Sequence, residues 1–356
     1  MNNYKSVLQA ITAALLFGAS APISKLLLGS IDPVPLAAFL YIGSGIGLII
    51  FKIIKRCINK SEDREAPLSK KDIPWLITAV FLGGVVAPII LMNSLKVTPA
   101  STASLLLNFE GVATTLIATC FFKESVGKRI WIAIIMITSS TVILSWDFSN
   151  QWGFSLGATG VVIACLCWGI DNNFTGKISL KDPFSIVIIK GIGAGSFSLI
   201  LSLLLKSNFP SIKIIALAMI LGCFSYGFSI VLFVLALRGL GSARTSALFG
   251  TAPFIGAILS FILFNERISI TFIVALPLMI IGAILLLREN HEHEHLHRAV
   301  MHEHRHCHGD GHHEHLHKEE IADDFYHSHI HTHESIMHNH SHTPDIHHKH
   351  DHDNCN

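Results

Sequence analysis

The sequence predicts an all-α membrane protein, in which ten transmembrane helices form two inverted five-helix repeats followed by a disordered, histidine-rich tail. Three observations favour this fold class. Long apolar runs give the chain a mean hydropathy of +0.52. The two halves of the apolar region share a pattern of residues at a constant offset. All 23 histidines of the chain lie in the final segment, residues 291–356.

The apolar runs predict the individual helices. A helix needs about 20 apolar residues to cross the roughly 30 Å hydrocarbon layer of a bilayer. Runs of about this length occur at residues 7–28, 34–54, 74–95, 100–122, 129–146, 153–173, 184–205, 213–237, 243–264 and 269–287. Only short loops remain between them, so residues 1–290 leave no space for a soluble catalytic domain.

Catalytic motifs are absent from this sequence. No GxxxxGK[ST] phosphate-binding loop occurs, so ATP is not expected to be the direct energy source. Residues 1–290 contain no histidine for a catalytic set. We therefore expect a protein that is not an enzyme. Its predicted partners are the lipid bilayer, a small solute, protons and divalent metal ions, with no nucleic acid and no predicted oligomeric state.

Basic residues predict the orientation of the spans. Residues 1–290 carry 22 Lys+Arg and 12 Asp+Glu. Fifteen of these basic residues fall in loops on the side of the N-terminus and four in the opposite loops. The positive-inside rule therefore places the N-terminus in the cytoplasm, and ten spans return the C-terminus to the same side. We expect a multi-pass protein of the plasma membrane.

The apolar region repeats itself. The segment SLKVTPASTASLLL around Lys96 ends in FFKE at Glu124, and ALRGLGSARTSALF around Arg238 ends in LFNE at Glu266. Both matches have an offset of 142 residues. Because each unit holds five spans, an odd number, the second copy is inverted, as in many secondary transporters. The predicted domains are residues 1–146, 147–290 and 291–356.

Several short motifs resemble those of the EamA-type transporters of the drug/metabolite transporter superfamily, over residues 5–288. The resemblance implies a secondary transporter of a small solute. One departure is Gly111, where the family has proline after the span-4 glutamate, whereas Pro253 is present at the matching position of the second copy. We expect a kink at Gly111 to come from flexibility. The motifs are Phe17-Gly18, Trp168-Gly169, Asn108-Phe109-Glu110, Lys123-Glu124 and Asn265-Glu266.

Charged residues inside two neighbouring spans predict an ion pair. Asp171 in span 6 and Lys190 in span 7 lie at similar distances from the face where these spans are joined. A charge inside a span costs roughly 2.5–3.5 kcal/mol and faces a cavity or a partner. We predict that Asp171 pairs with Lys190, beside Asn172. The pair either belongs to a transport site or locks two helices together.

Glu110 lies near the middle of span 4, two residues after Asn108. A carboxylate at this depth can bind a cation or exchange a proton, which makes protons the expected coupling ion. The alternative is a hydrogen bond that only packs two helices. We predict a transport site formed by Asn108, Glu110, Asp171, Asn172 and Lys190.

The tail contains two matching blocks, residues 291–317 and 327–352, in which histidine alternates with other residues. Its 13 Asp+Glu against 4 Lys+Arg and its few apolar residues predict disorder without a ligand. Imidazole is a preferred ligand of Ni, Co and Zn, so we predict metal binding rather than a solvating tail or one with no role. The predicted ligands are His291, His293, His295, His297, His302, His304, His306, His312, His313, His315, His327, His329, His331, His333, His338, His340, His342, His347, His348 and His350.

Three functions fit these observations. The main interpretation is a secondary active transporter of a small metabolite or drug-like solute, proton-coupled through Glu110, with a metal-binding regulatory or storage tail. The second is a divalent metal transporter fed or gated by the tail, although the spans lack clusters of metal ligands. The third is a metal sensor or buffer for which the membrane part is only an anchor.

Overall fold

A computed structural model of the chain describes the backbone of residues 3–58, 67–122, 126–146, 155–178, 181–240, 245, 248–287, 291–296, 300–306, 327–333 and 337–342. The described residues between 3 and 287 are mainly helical. The α-helices are α1 (Asn3–Gly18), α2 (Ser20–Leu27), α3 (Pro33–Ile58), α4 (Ile73–Thr78), α5 (Ala87–Val97), α6 (Ala100–Leu106), α7 (Phe109–Phe122), α8 (Lys128–Ser145), α9 (Leu156–Lys177), α10 (Pro183–Leu204), α11 (Ile212–Gly222), α12 (Ser229–Leu240), α13 (Ala252–Phe264) and α14 (Ile270–Leu287).

Within the described residues, seven helical segments are long and apolar enough to cross a bilayer, as expected of a multi-pass membrane protein. They are Tyr4–Leu27, Pro33–Cys57, Lys70–Val97, Ala100–Phe122, Lys128–Ser145, Pro183–Leu204 and Ile212–Ala236. Helix α9 has 22 residues, but its Asp171, Asn172 and Asn173 lower its hydropathy. Two shorter apolar helices, Ala252–Phe264 and Ile270–Leu286, follow near the end of the helical part. The count of ten spans remains a prediction.

Two of the long segments change their hydrogen-bonding pattern midway. Residues Ala79–Val86, between α4 and α5, form a π-helix. Residues Cys223–Phe228, between α11 and α12, form a second one. π-helical turns are rare and occur often at functional sites. Their last residues, Val86 and Phe228, are 142 positions apart, which is the offset of the sequence repeat.

The fourth predicted span is broken rather than kinked at Gly111. Helix α6 ends at Leu106 and α7 begins at Phe109, with a turn at Leu107 and Asn108 between them. Gly111 itself lies inside α7, where an added Cβ would lie 2.9 Å from Leu286. The break therefore lies about one helical turn before Gly111, at the position of Asn108.

Small residues bring the helices close together. An added Cβ at Gly43 would overlap the backbone of Met219, and one at Gly222 would overlap that of Leu40, so α3 crosses α11 with backbones in contact. At Gly191, on α10, an added Cβ would lie 2.7 Å from the amide nitrogen of Gly45 on α3. Close backbone approach of this kind is how membrane helices gain packing energy, because lipid supplies no hydrophobic drive between them.

One end of the helical part is tied by a polar contact between Asp182, which lies outside the apolar segments, and Lys52 on α3. Asp182 precedes α10 and accepts hydrogen bonds from Lys52 Nζ at 2.8 Å and from Ser185 Oγ at 2.6 Å. Burial alone would raise the pKa of Asp182, but these hydrogen bonds outweigh it and hold the pKa below its ordinary value. The contact joins α3 to the start of α10.

The opposite end is tied by Glu266, which follows α13. Its carboxylate accepts hydrogen bonds from the backbone nitrogens of Ala100 at 2.7 Å and Ser101 at 3.0 Å, and from Ser101 Oγ. These donors belong to the first turn of α6, where backbone N–H groups lack partners within the helix. Nearby, Lys25 Nζ donates to the carbonyl oxygen of Thr98. The Glu266 carboxylate therefore caps α6 from another part of the chain.

The predicted disorder of the tail differs from the structure in four segments, which form strands β1 (His291–Leu296), β2 (Val300–His306), β3 (His327–His333) and β4 (Met337–His342). β1 pairs antiparallel with β4, and β2 pairs antiparallel with β3. Alternating histidine has the period of two that suits a strand. Pairing between the two blocks satisfies backbone N–H and C=O groups. Composition alone does not reveal this contribution.

We predict that Glu266→Ala lowers the free energy of unfolding by about 1–2 kcal/mol, because the first turn of α6 loses its carboxylate cap. The measurement is the thermal unfolding midpoint of the detergent-solubilised protein. Arg267→Ala, at an exposed neighbour, is the matched control and should leave the midpoint unchanged. Equal midpoints for the two variants would show that the cap contributes nothing.

Candidate functional site

A central cavity of about 650 Å³ lies among the helices. All five residues of the predicted transport site line it. They reach it from the turn before α7, from α7 itself, from α9 and from α10. The structure thus brings together the polar side chains that the sequence placed in three different spans, which are Asn108, Glu110, Asp171, Asn172 and Lys190.

The predicted ion pair is present. Lys190 Nζ lies 2.7 Å from both carboxylate oxygens of Asp171. Thr175 Oγ1 donates a hydrogen bond to Asp171 Oδ1 at 2.8 Å. The side chains are only 15% and 6% exposed for Lys190 and Asp171 respectively. Each charge in this buried pair therefore has its partner and an additional hydrogen bond nearby.

The Asp171–Lys190 pair lies against Gly83 of the first π-helix. An added Cβ at Gly83 would overlap the Asp171 carboxylate, so only glycine leaves space for this side chain. The carbonyl oxygen of Gly83 accepts hydrogen bonds from Tyr41 Oη and Trp168 Nε1, both at 2.9 Å. In a π-helical segment some backbone carbonyls lose their usual partners, and here two aromatic donors from α3 and α9 satisfy one of them.

Glu110 lies in the first turn of α7, directly after the broken part of span 4. Its Oε1 accepts a hydrogen bond from Asn172 Nδ2 at 2.8 Å, and the same nitrogen lies 3.2 Å from Thr114 Oγ1. Asn108 Nδ2 donates to the carbonyl oxygen of Leu105 at 3.0 Å, which also accepts from the Asn108 backbone nitrogen at 3.2 Å. The Asn172 amide therefore holds the Glu110 carboxylate through an uncharged donor.

Aromatic rings form another part of the cavity wall. Phe17 contacts Tyr226 with ring centroids 6.1 Å apart and Phe249 at 5.4 Å. Phe233 lies 4.7 Å from Phe249, and Tyr41 lies 5.5 Å from Tyr226. All five rings line the cavity. It therefore combines one polar wall, which carries three charged groups, with a connected aromatic wall.

The aromatic wall and the Gly83 carbonyl were not predicted. Aromatic residues are common in apolar helices, so Phe233 and Phe249 carry no distinguishing signal in the sequence. Tyr41 and Tyr226 do carry one, because a hydroxyl group inside an apolar run needs a partner. The chain has only 4 tyrosines, so two of them inside predicted spans could have been noticed.

The predicted metal ligands of the tail lie partly on described strands and partly outside the described residues. Among the residues whose side chains the structure describes, no group of three or more His, Cys, Asp or Glu could hold a metal ion. Thirteen of the twenty predicted tail ligands lie on the backbones of β1 to β4. The remaining seven lie outside the described residues and are His297, His312, His313, His315, His347, His348 and His350.

Comparison with known proteins gives the family. The EamA-like transporter family matches residues 4–146 and, a second time, residues 155–288. An uncharacterized transporter of Methanothermobacter thermautotrophicus is 31% identical over 273 residues, which cover 73% of this chain and 79% of that protein. The probable 4-amino-4-deoxy-L-arabinose-phosphoundecaprenol flippase subunit ArnE of Proteus mirabilis is 28% identical over 91 residues, 26% of this chain and 80% of its own length.

A solved crystal structure shares the fold. It aligns with 81% of this chain and 99% of its own chain, with a TM-score of 0.58 and 16% sequence identity. At this identity the likeness concerns the fold alone. Together with the two family matches, the apolar helices and the central polar cavity, it leads to one conclusion: the chain belongs to the EamA-like transporter family, as a multi-pass membrane transporter of small solutes.

Proposed function

We propose that this protein is a secondary active transporter, in which two inverted five-helix halves give a solute alternating access to the central cavity. The observation that carries the proposal is the cavity itself, which lies among the helices and is lined by Glu110 and the Asp171–Lys190 pair. Charged groups inside a membrane protein mark ion and substrate pathways. The domain division 1–146, 147–290 and 291–356 belongs to this proposal, with the two family matches as support.

The 142-residue offset supports the inverted halves. Helix α7 begins at Phe109 and α13 begins at Ala252, after breaks at nearly equivalent positions of the two copies. The π-helices end at positions that differ by the same offset. Broken helices in corresponding positions of two halves are typical of binding sites in transporters with inverted repeats.

The distribution of contacts supports alternating access. At one end of the bundle, Glu266 ties α6 to the segment after α13, and Lys25 bonds to Thr98. The cavity extends toward the other end, where Thr175 near the end of α9 and Pro183 at the start of α10 line it. The Lys52–Asp182 contact joins α3 to α10 at this second end, but the cavity lining still reaches it, and we propose that the arrangement is one of the two states of such a cycle. With the N-terminus in the cytoplasm of a plasma-membrane protein, as we propose, this cavity faces the cytoplasm.

Protons are the proposed coupling ion, with Glu110 as the exchanging group. Asp171 is held by Lys190 at 2.7 Å, so it remains a partner in a salt bridge. Glu110 has an amide donor, Asn172, in place of a cation. A carboxylate whose contacts suit either protonation state is the group that can take up and release a proton.

We predict that Glu110→Gln abolishes proton-coupled transport while membrane insertion and thermal stability are retained, since glutamine keeps the size of the side chain. The measurement is the internal pH of proteoliposomes loaded with pyranine when a mixture of amino acids and amines is added outside. Asp32→Asn, at a carboxylate with 40% side-chain exposure, is the matched control. Proton movement in the Glu110→Gln protein equal to that of the control would exclude Glu110 as the coupling group.

The ion pair generates a second prediction. Asp171→Asn leaves Lys190 charged and unpaired, which should destabilise the protein by about 3–5 kcal/mol. Adding Lys190→Ala removes that charge and should restore part of the stability and of the transport. Thr175→Val, which removes one hydrogen bond from the pair, should cost only about 1 kcal/mol. A double variant as unstable as the sum of the two single changes would contradict the pairing role.

We also propose that the tail binds Ni, Co or Zn. The strand register supports this, because histidine lies opposite histidine at three positions of each ladder. The pairs are His291 with His342, His293 with His340, His295 with His338, His302 with His331, His304 with His329 and His306 with His327. Residues opposite each other in an antiparallel ladder lie on the same face about 5 Å apart. Each site would then draw its ligands from both blocks.

A metal transporter remains the second candidate function, and the tail is the observation that favours it. The cavity supports it less, because none of the described residues that line it is a histidine or a cysteine. Storage or regulation by the tail fits this cavity better than delivery of metal into it.

We predict that replacing both His293 and His340 with alanine weakens nickel binding by the full-length purified protein, because the two lie opposite each other. His333→Ala is the matched control, since His333 lies opposite Val300. The measurement is bound nickel at a series of free nickel concentrations. Equal binding by the two variants would contradict sites shared between the blocks, and no binding by the intact protein would contradict a metal-binding tail.

A further inference from the structure

The charges that line the cavity do not cancel. Among the described residues, three charged side chains line it, namely Glu110, Asp171 and Lys190. Lys190 contacts both carboxylate oxygens of Asp171 and neutralises it. The carboxylate of Glu110 therefore gives these three side chains a net charge of −1. From this excess we infer the class of solute: the cavity binds a small organic monocation, with its ammonium group at Glu110 and its apolar body against the aromatic wall. This inference rests on the transport function proposed above.

Glu110 offers acceptor capacity that the protein does not use. A carboxylate can accept about four hydrogen bonds. Within the described residues, Asn172 is the side-chain donor to Glu110, through one oxygen at 2.8 Å. An ammonium group supplies up to three donors and the compensating charge. An anionic solute would instead be repelled, and a neutral one would leave the charge of Glu110 without a partner.

The aromatic wall suits the rest of such a cation. The faces of aromatic rings attract cations, and the effect strengthens when water is removed. Tyr226 has contacts with two other rings, Phe17 at 6.1 Å and Tyr41 at 5.5 Å, so its position is fixed. Phe17 in turn contacts Phe249 at 5.4 Å. The wall can therefore take an apolar or aromatic body without rearrangement of these rings.

The donor set argues against a metal ion as the cation. Nickel, cobalt and zinc prefer imidazole and thiolate ligands. Among the described residues that line the cavity there is neither histidine nor cysteine, and one of its two carboxylates is already bound by Lys190. A divalent ion would also exceed the single negative charge that remains. The cavity volume of about 650 Å³ is typical of sites for small organic molecules.

Three probes of similar size and different charge test the inference: 2-phenylethylammonium, 2-phenylethanol and 3-phenylpropionate. Binding of each to the purified full-length protein is measured by calorimetry, at a pH where the amine is charged. We expect the cation to bind at least about tenfold more tightly than either of the others. Glu110→Gln should remove this preference by weakening the cation and not the alcohol, whereas Phe249→Ala should weaken the cation and the alcohol alike. Asp32→Asn is the control that changes neither.

Each outcome decides the inference. Equal or tighter binding of the anion, a cation preference that survives in Glu110→Gln, or no binding of the cation overturns it. Flux of the same probes into proteoliposomes keeps the two proposals apart. Binding of the cation without flux contradicts the transport function but leaves the solute class intact. Flux of the anion contradicts the solute class but leaves the transport function intact.

Discussion

The contact of Asp171 with Gly83 and Lys190 is the constraint on which the centre of the protein depends. It joins three helical segments, since Asp171 lies on α9, Lys190 on α10 and Gly83 in the first π-helix. The hydrogen bond from Tyr41 to the Gly83 carbonyl connects α3 to the same group. A buried pair of charges is costly unless its geometry is good and its remaining hydrogen-bonding groups are satisfied. These demands fix the relative positions of four segments around the cavity.

The two π-helices are local irregularities that neighbouring helices hold in place. A π-turn leaves a local defect in the helical hydrogen bonds. In the first π-helix the defect is filled by Tyr41 and Trp168, which bond to the Gly83 carbonyl at 2.9 Å. In the second, Ser225 Oγ donates to the carbonyl oxygen of Leu16 on α1. Side-chain hydrogen bonds therefore join both π-helices to neighbouring helices.

The sequence predicted that these polar side chains lie together because charged and amide residues stand out in apolar runs. Asp171 and Lys190 could be paired from their depth alone. The aromatic wall could not be predicted, because Phe17 and Phe249 become neighbours only through packing between α1 and the segment before α13. The break at Asn108 was not predicted for another reason. The sequence argument concerned only Gly111, where glycine stands in place of the family's proline. The strands of the tail depend on pairing between distant blocks, which composition does not contain.

Lys190 gives the two carboxylates of the cavity different roles. Without a cation beside it, Asp171 would leave two negative charges near one another, an arrangement that attracts divalent ions. With Lys190 at 2.7 Å, one charge is cancelled and the carboxylate becomes part of the framework. Glu110 is held by an uncharged amide instead. Among the described residues, the basic residue on α10 therefore leaves Glu110 as the cavity carboxylate without a cationic partner, and the proposed proton exchange and the inferred monovalent solute both depend on this property.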